Sequence, residues 1–305
     1  MILACGEALI DMLPRTTTEG EAAFAPHAGG AVFNTAIALG RLGSPAGFLC
    51  GLSTDLFGDL LARTLADSGV DASPSPRLDA PTTLAFVTLT DGQASYAFYD
   101  ENTALRRLSV DDLPDTSGAE ALFFGGISLA GGGCAEAYRA LMLREAPRAV
   151  TMIDPNIRPS FIRDEAAYRA RIAEMMAAAT IVKLSDEDLH WLKGPGDTAA
   201  LAEEIRATGP ALVCITEGAK GVTGYTARGA TFAPARKAEV VDTVGAGDTF
   251  NAGLLHALRQ RGALTRDALA DLPDDILSDA LAFGARVAGI VVGRAGANPP
   301  WAHEL

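Results

Sequence analysis

The sequence predicts an α/β fold in which a largely parallel sheet is accompanied by a small separate β-sheet. Three observations carry this. Short apolar runs alternate with longer stretches of helical periodicity through most of the 305 residues, the pattern of successive βαβ units. Charged residues stand directly after several of those runs, where open parallel sheets bind ligands. One region, residues 82–99, alternates apolar and polar residues with no helix inside it.

In chain order, the apolar runs at 2–5, 47–50, 121–124, 150–153, 180–183 and 212–216 read as buried strands. Helical periodicity covers 32–42 and 58–67, followed by Gly43 and Gly69, where a left-handed residue commonly ends a helix. Further helices are predicted over 135–145, 165–178, 198–207 and 279–291, and the run 238–241 reads as a strand ahead of Asp242. Glu7, Asp154, Lys183, Glu217 and Asp242 thus follow strand ends. Any one alone is an ordinary loop charge, but together they are expected to converge on one crevice. The alternating segments 82–89 and 94–99 flank Asp91-Gly92, a hairpin signal, and residues 12–25 also read as extended. These two pieces, about 12–25 and 82–106, are expected to form a lid sheet that excludes water from the crevice; the alternative is a hairpin that merely extends the main sheet.

With 49% hydrophobic and 21% charged residues the chain has the composition of a globular protein, and no linker divides it, so a single domain over 1–305 is expected. No stretch approaches the roughly 20 apolar residues of a membrane span. The opening MILACGEALIDMLP carries Glu7 and Asp11 inside its apolar run and has no basic leader, so it reads as a first strand and the protein as cytoplasmic. Cys5, Cys50, Cys134 and Cys214 are far apart, three of them in strand-like runs, which favours buried reduced thiols over a disulfide framework. The four histidines form no zinc-ligand spacing with them. A net charge of −13 argues against nucleic acid, which is bound by clustered Lys and Arg. An anionic ligand would have to be met by backbone dipoles, a few local cations and a divalent metal.

The stretch DTVGAGDTFN, Asp242 to Asn251, places two acids around a glycine-rich turn that opens an amphipathic helix, with Phe250, Leu254, Leu255 and Leu258 at helical spacing. The turn Gly245-Ala246-Gly247 presents free N–H groups at the helix N-terminus, where partial positive charge collects and an anion is expected. An isolated Asp at a helix start is ordinarily a cap. Asp248, however, would compete with a bound phosphate unless it holds the group that attacks it, and it is read as a candidate base. A second glycine-rich site, AGGAVFNTAIALGRLG, sets Gly29-Gly30 before a helix and Asn34 in its first turn, placed to donate to a hydroxylated ligand; helix-start chemistry alone also explains it. Neither GxxxxGK[ST] nor GxGxxG is present, so a Walker-type NTPase and a dinucleotide oxidoreductase lack their fingerprints.

Taken together, AGGAVFN at 28–34 and DTVGAGDTFNAG at 242–253 resemble the paired motifs of the ribokinase, or PfkB-type, carbohydrate kinase family, and the resemblance runs from Met1 to Trp301. It implies a three-layer ribokinase-like α/β fold with a β-sheet lid, ATP as phosphoryl donor and Mg²⁺ as its partner. Carried over by position, Asp248 matches the catalytic base, and Gly245, Ala246 and Gly247 the anion hole. Asp11, Gly29, Gly30 and Asn34 match contacts to sugar hydroxyls, and Phe98 and Arg158 are further substrate candidates. The stretch TEGAKG, with Thr216, Glu217, Gly218 and Gly221, resembles the nucleotide loop. Asp242 and the carbonyls of Val244, Val291, Arg294 and Gly296 match positions that hold a monovalent cation, K⁺, in several members. Where many members carry Asn-x-x-Glu near the metal and phosphates, this chain has Ser185-Asp186-Glu187-Asp188; the final Asp shortens the carboxylate arm. Lys183, just before it, is placed to meet ATP phosphates as a point charge, or is a surface lysine.

The segments at 6–14, 96–108 and 154–161 look most like the bacterial fructokinase branch, which implies phosphorylation of the 6-hydroxyl of D-fructose. The nearest competitor is 2-keto-3-deoxygluconate kinase. Its carboxylate substrate would call for a lid arginine, whereas Tyr99 is followed by Asp100 and Glu101. Arg158 leaves that exclusion incomplete. A nucleoside kinase and a non-catalytic sugar sensor are the remaining alternatives, and a homodimer paired through the lid is left open.

Overall fold

The computed structural model describes residues 1–90 and 93–305, so the Asp91-Gly92 turn lies outside the described residues. β1 (Ile2–Cys5) is wholly buried because its four residues are apolar and flanked on both edges by other strands. β2 (Leu9–Thr16) and β3 (Ala22–Gly29) then form an antiparallel pair, α1 (Ala31–Arg41) returns along the core, and β4 (Ala46–Leu49) lies parallel to β1. After β5 (Leu52–Ser53) come α2 (Leu56–Asp67), β6 (Val70–Asp71), β7 (Arg77–Leu78), β8 (Leu84–Thr90) and β9 (Gln93–Tyr99). The short α3 (Ala104–Arg107) leads to β10 (Ala121–Gly125), α4 (Gly132–Glu145), β11 (Val150–Asp154), α5 (Glu165–Ala178) and β12 (Ile181–Ser185). Next are α6 (Asp186–Lys193), α7 (Thr198–Arg206), β13 (Leu212–Thr216) and the hairpin of β14 (Gly221–Thr226) and β15 (Gly229–Pro234). Finally come α8 (Ala246–Gln260), α9 (Arg266–Ala270) and α10 (Asp274–Val291); α10 packs on β14 and β15, and α8 packs against α10 and α1.

The nine-stranded sheet has the order β15-β14-β13-β12-β11-β10-β1-β4-β6. From β13 to β6 the pairs are parallel; β14 and β15 run antiparallel at one edge. Strand order reverses at β1, which has β4 on one side and β10 on the other. A crevice opens at the carboxyl ends of such a switch point because the chains leaving neighbouring strands diverge there. Tyr138 secures this end from below: its buried hydroxyl reaches the carbonyls of Gly6 (3.2 Å) and Leu49 (3.1 Å).

The six buried strands fall where the apolar runs predict them, shifted by a residue or two, and the helix over 165–178 matches at both ends. Gly43 and Gly69 adopt positive φ, 82° and 74°, as the helix-stop reading requires. All four cysteines are buried and free. The run at 238–241 is not a strand. It is irregular, with Val240 and Val241 65% and 61% exposed, and the amides of Val241 and Asp242 both donate to the carbonyl of Val292. No described helix is long and apolar enough to cross a membrane.

The second sheet, β3-β2-β8-β9, is separate from the first. Its two hairpins join through parallel pairing of Ile10 with Leu84 and Asp11 with Ala85. It is longer than the alternating segments suggest, beginning at Leu9 and Gly29, while residues 104–107 are helical rather than part of it. An apolar cluster of Leu9, Ala85 and Ile127, with Phe98 and Phe161 against it, seats this sheet on the core.

Asp55 ties the root of that sheet to a core helix. Its Oδ1 caps α2 by accepting from the amides of Phe57 (3.0 Å) and Gly58 (2.8 Å), and its carboxylate also accepts from the amide and hydroxyl of Thr82. Burial acts to raise the carboxyl pKa, but the Thr82 and Gly58 hydrogen bonds outweigh it and hold the pKa below the usual range. A depressed acid pKa contributes stability that is present above the unfolded value, about 4, and lost as pH falls through the folded value. Asp55→Ala should therefore cost about 1–2 kcal/mol in urea denaturation at neutral pH, with the difference from wild type shrinking in acid.

Candidate active site

The site is built around the start of α8. Gly245 is its N-cap with φ 79° and ψ 0°, a left-handed conformation, and a Cβ there would lie 2.6 Å from that of Ala297. Glycine therefore sets the turn that exposes the first amides of α8, whose N–H groups have no partner within the helix. Asp248 stands in that first turn, 7% exposed. Its Oδ2 accepts from the Asn34 amide at 2.9 Å, and its carbonyl accepts from the Thr35 hydroxyl at 3.1 Å. Burial, reinforced by the charges of Asp154 and Glu7 and opposed by the Asn34 hydrogen bond and Lys183, pushes the Asp248 carboxyl up to about 7.

Asn34 is delivered by α1, whose start is fixed by Glu7. The buried Glu7 carboxylate accepts from the amides of Ala31 (2.9 Å) and Ser128 (3.3 Å), and Gly30, at φ 117°, is where any Cβ would come within 2.8 Å of the Glu7 carbonyl oxygen. Desolvation raises the Glu7 pKa despite those hydrogen bonds. Asp11, on β2, lies over Gly29: a Cβ on that glycine would come within 2.4 Å of Asp11 Oδ2. Burial pushes the Asp11 carboxyl up to about 6.

Lys183 lies inside β12 rather than after it, and its Nζ contacts Asp154 Oδ2 at 2.9 Å in a desolvated pair. Asn251, one turn beyond Asp248, donates to the same Oδ2 at 2.7 Å. Next along β12, Ser185 Oγ caps α6 by accepting from the Asp188 amide, and Asp188 Oδ1 accepts from the amide of Ile157 at 3.1 Å. Burial first, then the Asp154 charge, push the Asp188 carboxyl up to about 6. Between β13 and β14 the chain turns tightly at Gly218 (φ 53°) and Gly221 (φ 135°), with Lys220 paired to Glu217.

These elements surround one crevice of about 2340 Å³. Asp11, Gly30, Asn34, Phe98, Arg158, Lys183, Ser185, Thr216, Gly218, Val244, Gly245, Gly247 and Asp248 all line it. Ala246, Glu217 and Gly221 lie in the same turns but are not on its surface, and Gly29 sits behind Asp11. Phe98 packs edge-on against Phe161, ring centroids 4.2 Å apart, so the second sheet forms one wall. Asp242, Val291, Arg294 and Gly296 lie outside the crevice. There the Asp242 carboxylate accepts from the amides of Val244 and Gly296, both at 3.0 Å, joining the loop before α8 to the loop after α10.

Glu7 and Asp154 stand out in the sequence only as strand-end charges, and Asn251 only as the last residue of the Asp242–Asn251 stretch. Asn251 has one signal: at three residues from Asp248 it shares a helix face with the candidate base.

A family model described as pfkB family carbohydrate kinase matches residues 1–304. A fructokinase of Rhizobium leguminosarum bv. trifolii is 53% identical over 278 residues, which cover 91% of this chain and 85% of the relative. The crystal structure of fructokinase with bound ATP from Xylella fastidiosa aligns with a TM-score of 0.89 at 32% identity, covering 97% of this chain and 93% of that one. Fructokinase from Vibrio cholerae O395, solved with fructose, ADP and calcium ion, aligns with a TM-score of 0.84 at 25% identity over 97% and 94% of the two chains. Matched over nearly its whole length, the chain belongs to the pfkB family of carbohydrate kinases and carries its ribokinase-like fold.

Proposed function

We propose that this protein is a cytoplasmic fructokinase that transfers the γ-phosphoryl group of ATP to the 6-hydroxyl of D-fructose, with Asp248 as base. The observation that carries this is a buried carboxylate, oriented by Asn34, at the N-terminus of the helix whose glycine turn faces the crevice. Asp11, Gly30, Asn34 and Phe98 contact the sugar, with Gly29 leaving room for the Asp11 carboxylate. Thr216, Glu217, Gly218 and Gly221 follow the nucleotide. In a loose transition state the acceptor proton leaves late, so Asp248 chiefly orients the hydroxyl for in-line attack and then takes the proton. Charge spread over the equatorial phosphoryl oxygens meets the amides of the 245–247 turn and the Lys183 ammonium.

Mg²⁺ fits as a companion of the nucleotide rather than a protein-caged ion. Among the described residues no group of three His, Cys, Asp or Glu side chains is arranged to hold a metal, while Asp188 and Ser185 line the crevice. Those two residues would face it, and it would supply charge neutralisation on the phosphates. K⁺ fits the junction where Asp242 holds the two loops together, with the carbonyls of Val244, Val291, Arg294 and Gly296 as ligands.

The preference for a neutral ketose rests on Arg106. This crevice-lining arginine is already committed to Asp100, Nε to Oδ2 at 2.6 Å, and to the carbonyl of Gly131 at 2.8 Å. A substrate carboxylate would have to compete with both. Arg158, exposed where it lines the crevice, supports the keto-acid reading as the second choice. Two copies would pair through the second sheet, where Phe24 and Tyr99 are 43% and 64% exposed.

Asp248→Asn should lower kcat about 10²–10⁴-fold while ATP binding, followed by calorimetry, stays near wild type. Because the base must be ionised and its carboxyl is pushed up to about 7, kcat/KM for fructose should fall as pH drops below that value and level off above it; a flat profile from pH 5 to 8 would remove Asp248 from this role. In a coupled ADP-release assay across fructose, 2-keto-3-deoxygluconate, ribose, mannose and adenosine, fructose should give the highest kcat/KM. A preference for the keto acid would move the assignment to that kinase.

A further inference from the structure

We infer that Asp154, assisted by Asn251, is a positioning residue for phosphoryl transfer that fixes the Lys183 ammonium against the Gly245–Gly247 turn. The inference rests on the kinase reading above. Three elements meet at one atom: Asp154 Oδ2, at the end of β11, takes the Lys183 ammonium from β12 at 2.9 Å and the Asn251 amide from α8 at 2.7 Å. Lys183 and Asp154 side chains are 6% and 2% exposed, so this is a desolvated pair. Buried pairs seldom return their desolvation cost as stability. Nor is this one arranged to maximise stability, because Asp154 Oδ1 and Asn251 Oδ1 are buried without a hydrogen-bond partner among the described residues.

What the arrangement does achieve is a fixed position for a charge that lysine's flexible stem would otherwise spread over space. Lys183 Nζ lies 3.2 Å from the point a Cβ on Gly247 would occupy, so the ammonium sits against the amide turn. It also lines the crevice, where it can face an anion held by that turn. Burial alone would push the lysine toward its neutral form, but Asp154, by charge and hydrogen bond, outweighs it, with Asp188 and Asp248 adding to the effect. Asn251 anchors Asp154 to the helix that carries Asp248, so ammonium and base are held by one rigid unit. Electrostatic stabilisation of a transferring phosphoryl group depends on that preorganisation.

The test is a double-mutant cycle on the full chain, reading ADP formation with fructose and MgATP together with thermal melting. Asp154→Asn should lower kcat about 10–100-fold with fructose KM within about twofold, since misplacement by about 1 Å carries costs of this order. Lys183→Met should lower kcat at least as much, and the double variant should fall no further than Lys183→Met alone, because Asp154 acts through the lysine. Asn251→Ala, which leaves the ion pair intact, should lower kcat about threefold or more without an equal loss in melting temperature. It serves as the test if Asp154→Asn does not fold. Additive losses in the cycle, losses confined to KM, or an Asn251→Ala variant with wild-type kcat would each overturn the positioning role while leaving the kinase assignment intact. A wild-type protein that forms no ADP with any sugar would overturn both.

Discussion

The hydrogen bond from Asn34 to Asp248 joins residues 214 positions apart, and the site depends on it. It brings α1 and α8 together across the end of the parallel sheet, and Thr35 reinforces it by bonding the Asp248 carbonyl. Without that contact, Asp248 would be an acid at a helix N-terminus with no fixed direction. With it, one carboxylate oxygen is occupied by an amide and the other is free to take a hydroxyl. Both helices start at glycines with positive φ, Gly30 and Gly245, so the backbone permits the approach that the side chains then lock.

The charge distribution is unusual for a site that handles phosphates. The chain carries −13 overall, and Glu7, Asp11, Asp154, Asp188 and Asp248 gather around the crevice or directly behind it. Burial and mutual repulsion push several of these carboxyls upward. Such a site cannot attract an anion by net charge. It relies on directed N–H dipoles at the start of α8 and on the buried Lys183 ammonium.

Much of this was legible in the sequence because the signals were local. Buried parallel strands appear as apolar runs, and glycines at helix starts and stops mark backbone conformations that other residues adopt only with strain. The errors follow the same logic. Residues 238–241 are apolar and extended in appearance, yet apolarity reports burial only when something covers it, and here two valines face outward. Helix α6, DEDLHWLK, shows no apolar stripe and depends on the Ser185 cap and an acidic first turn. The Asn34 amide donates to Asp248, 214 residues away, and no local pattern reports a partner so distant. The same holds for Asn251 and Asp154, brought together only once α8 has docked on the sheet.

The second sheet and α1 share an anchor. β2 follows β1 through Gly6, Glu7 and Ala8, so the strand that leads into the second sheet begins just after the residue whose carboxylate pins α1. Glu7 also holds the turn after β10 through Ser128. Asn34 and Asp248 are thus positioned on the core side of this root. The farther attachments of the sheet, Phe98 against Phe161 and Thr82 on Asp55, are an aromatic contact and partly exposed hydrogen bonds. Such contacts open at lower cost than the buried Glu7 network. The geometry thus separates a floor fixed by buried hydrogen bonds, which carries Asn34 and Asp248, from a wall held by weaker contacts.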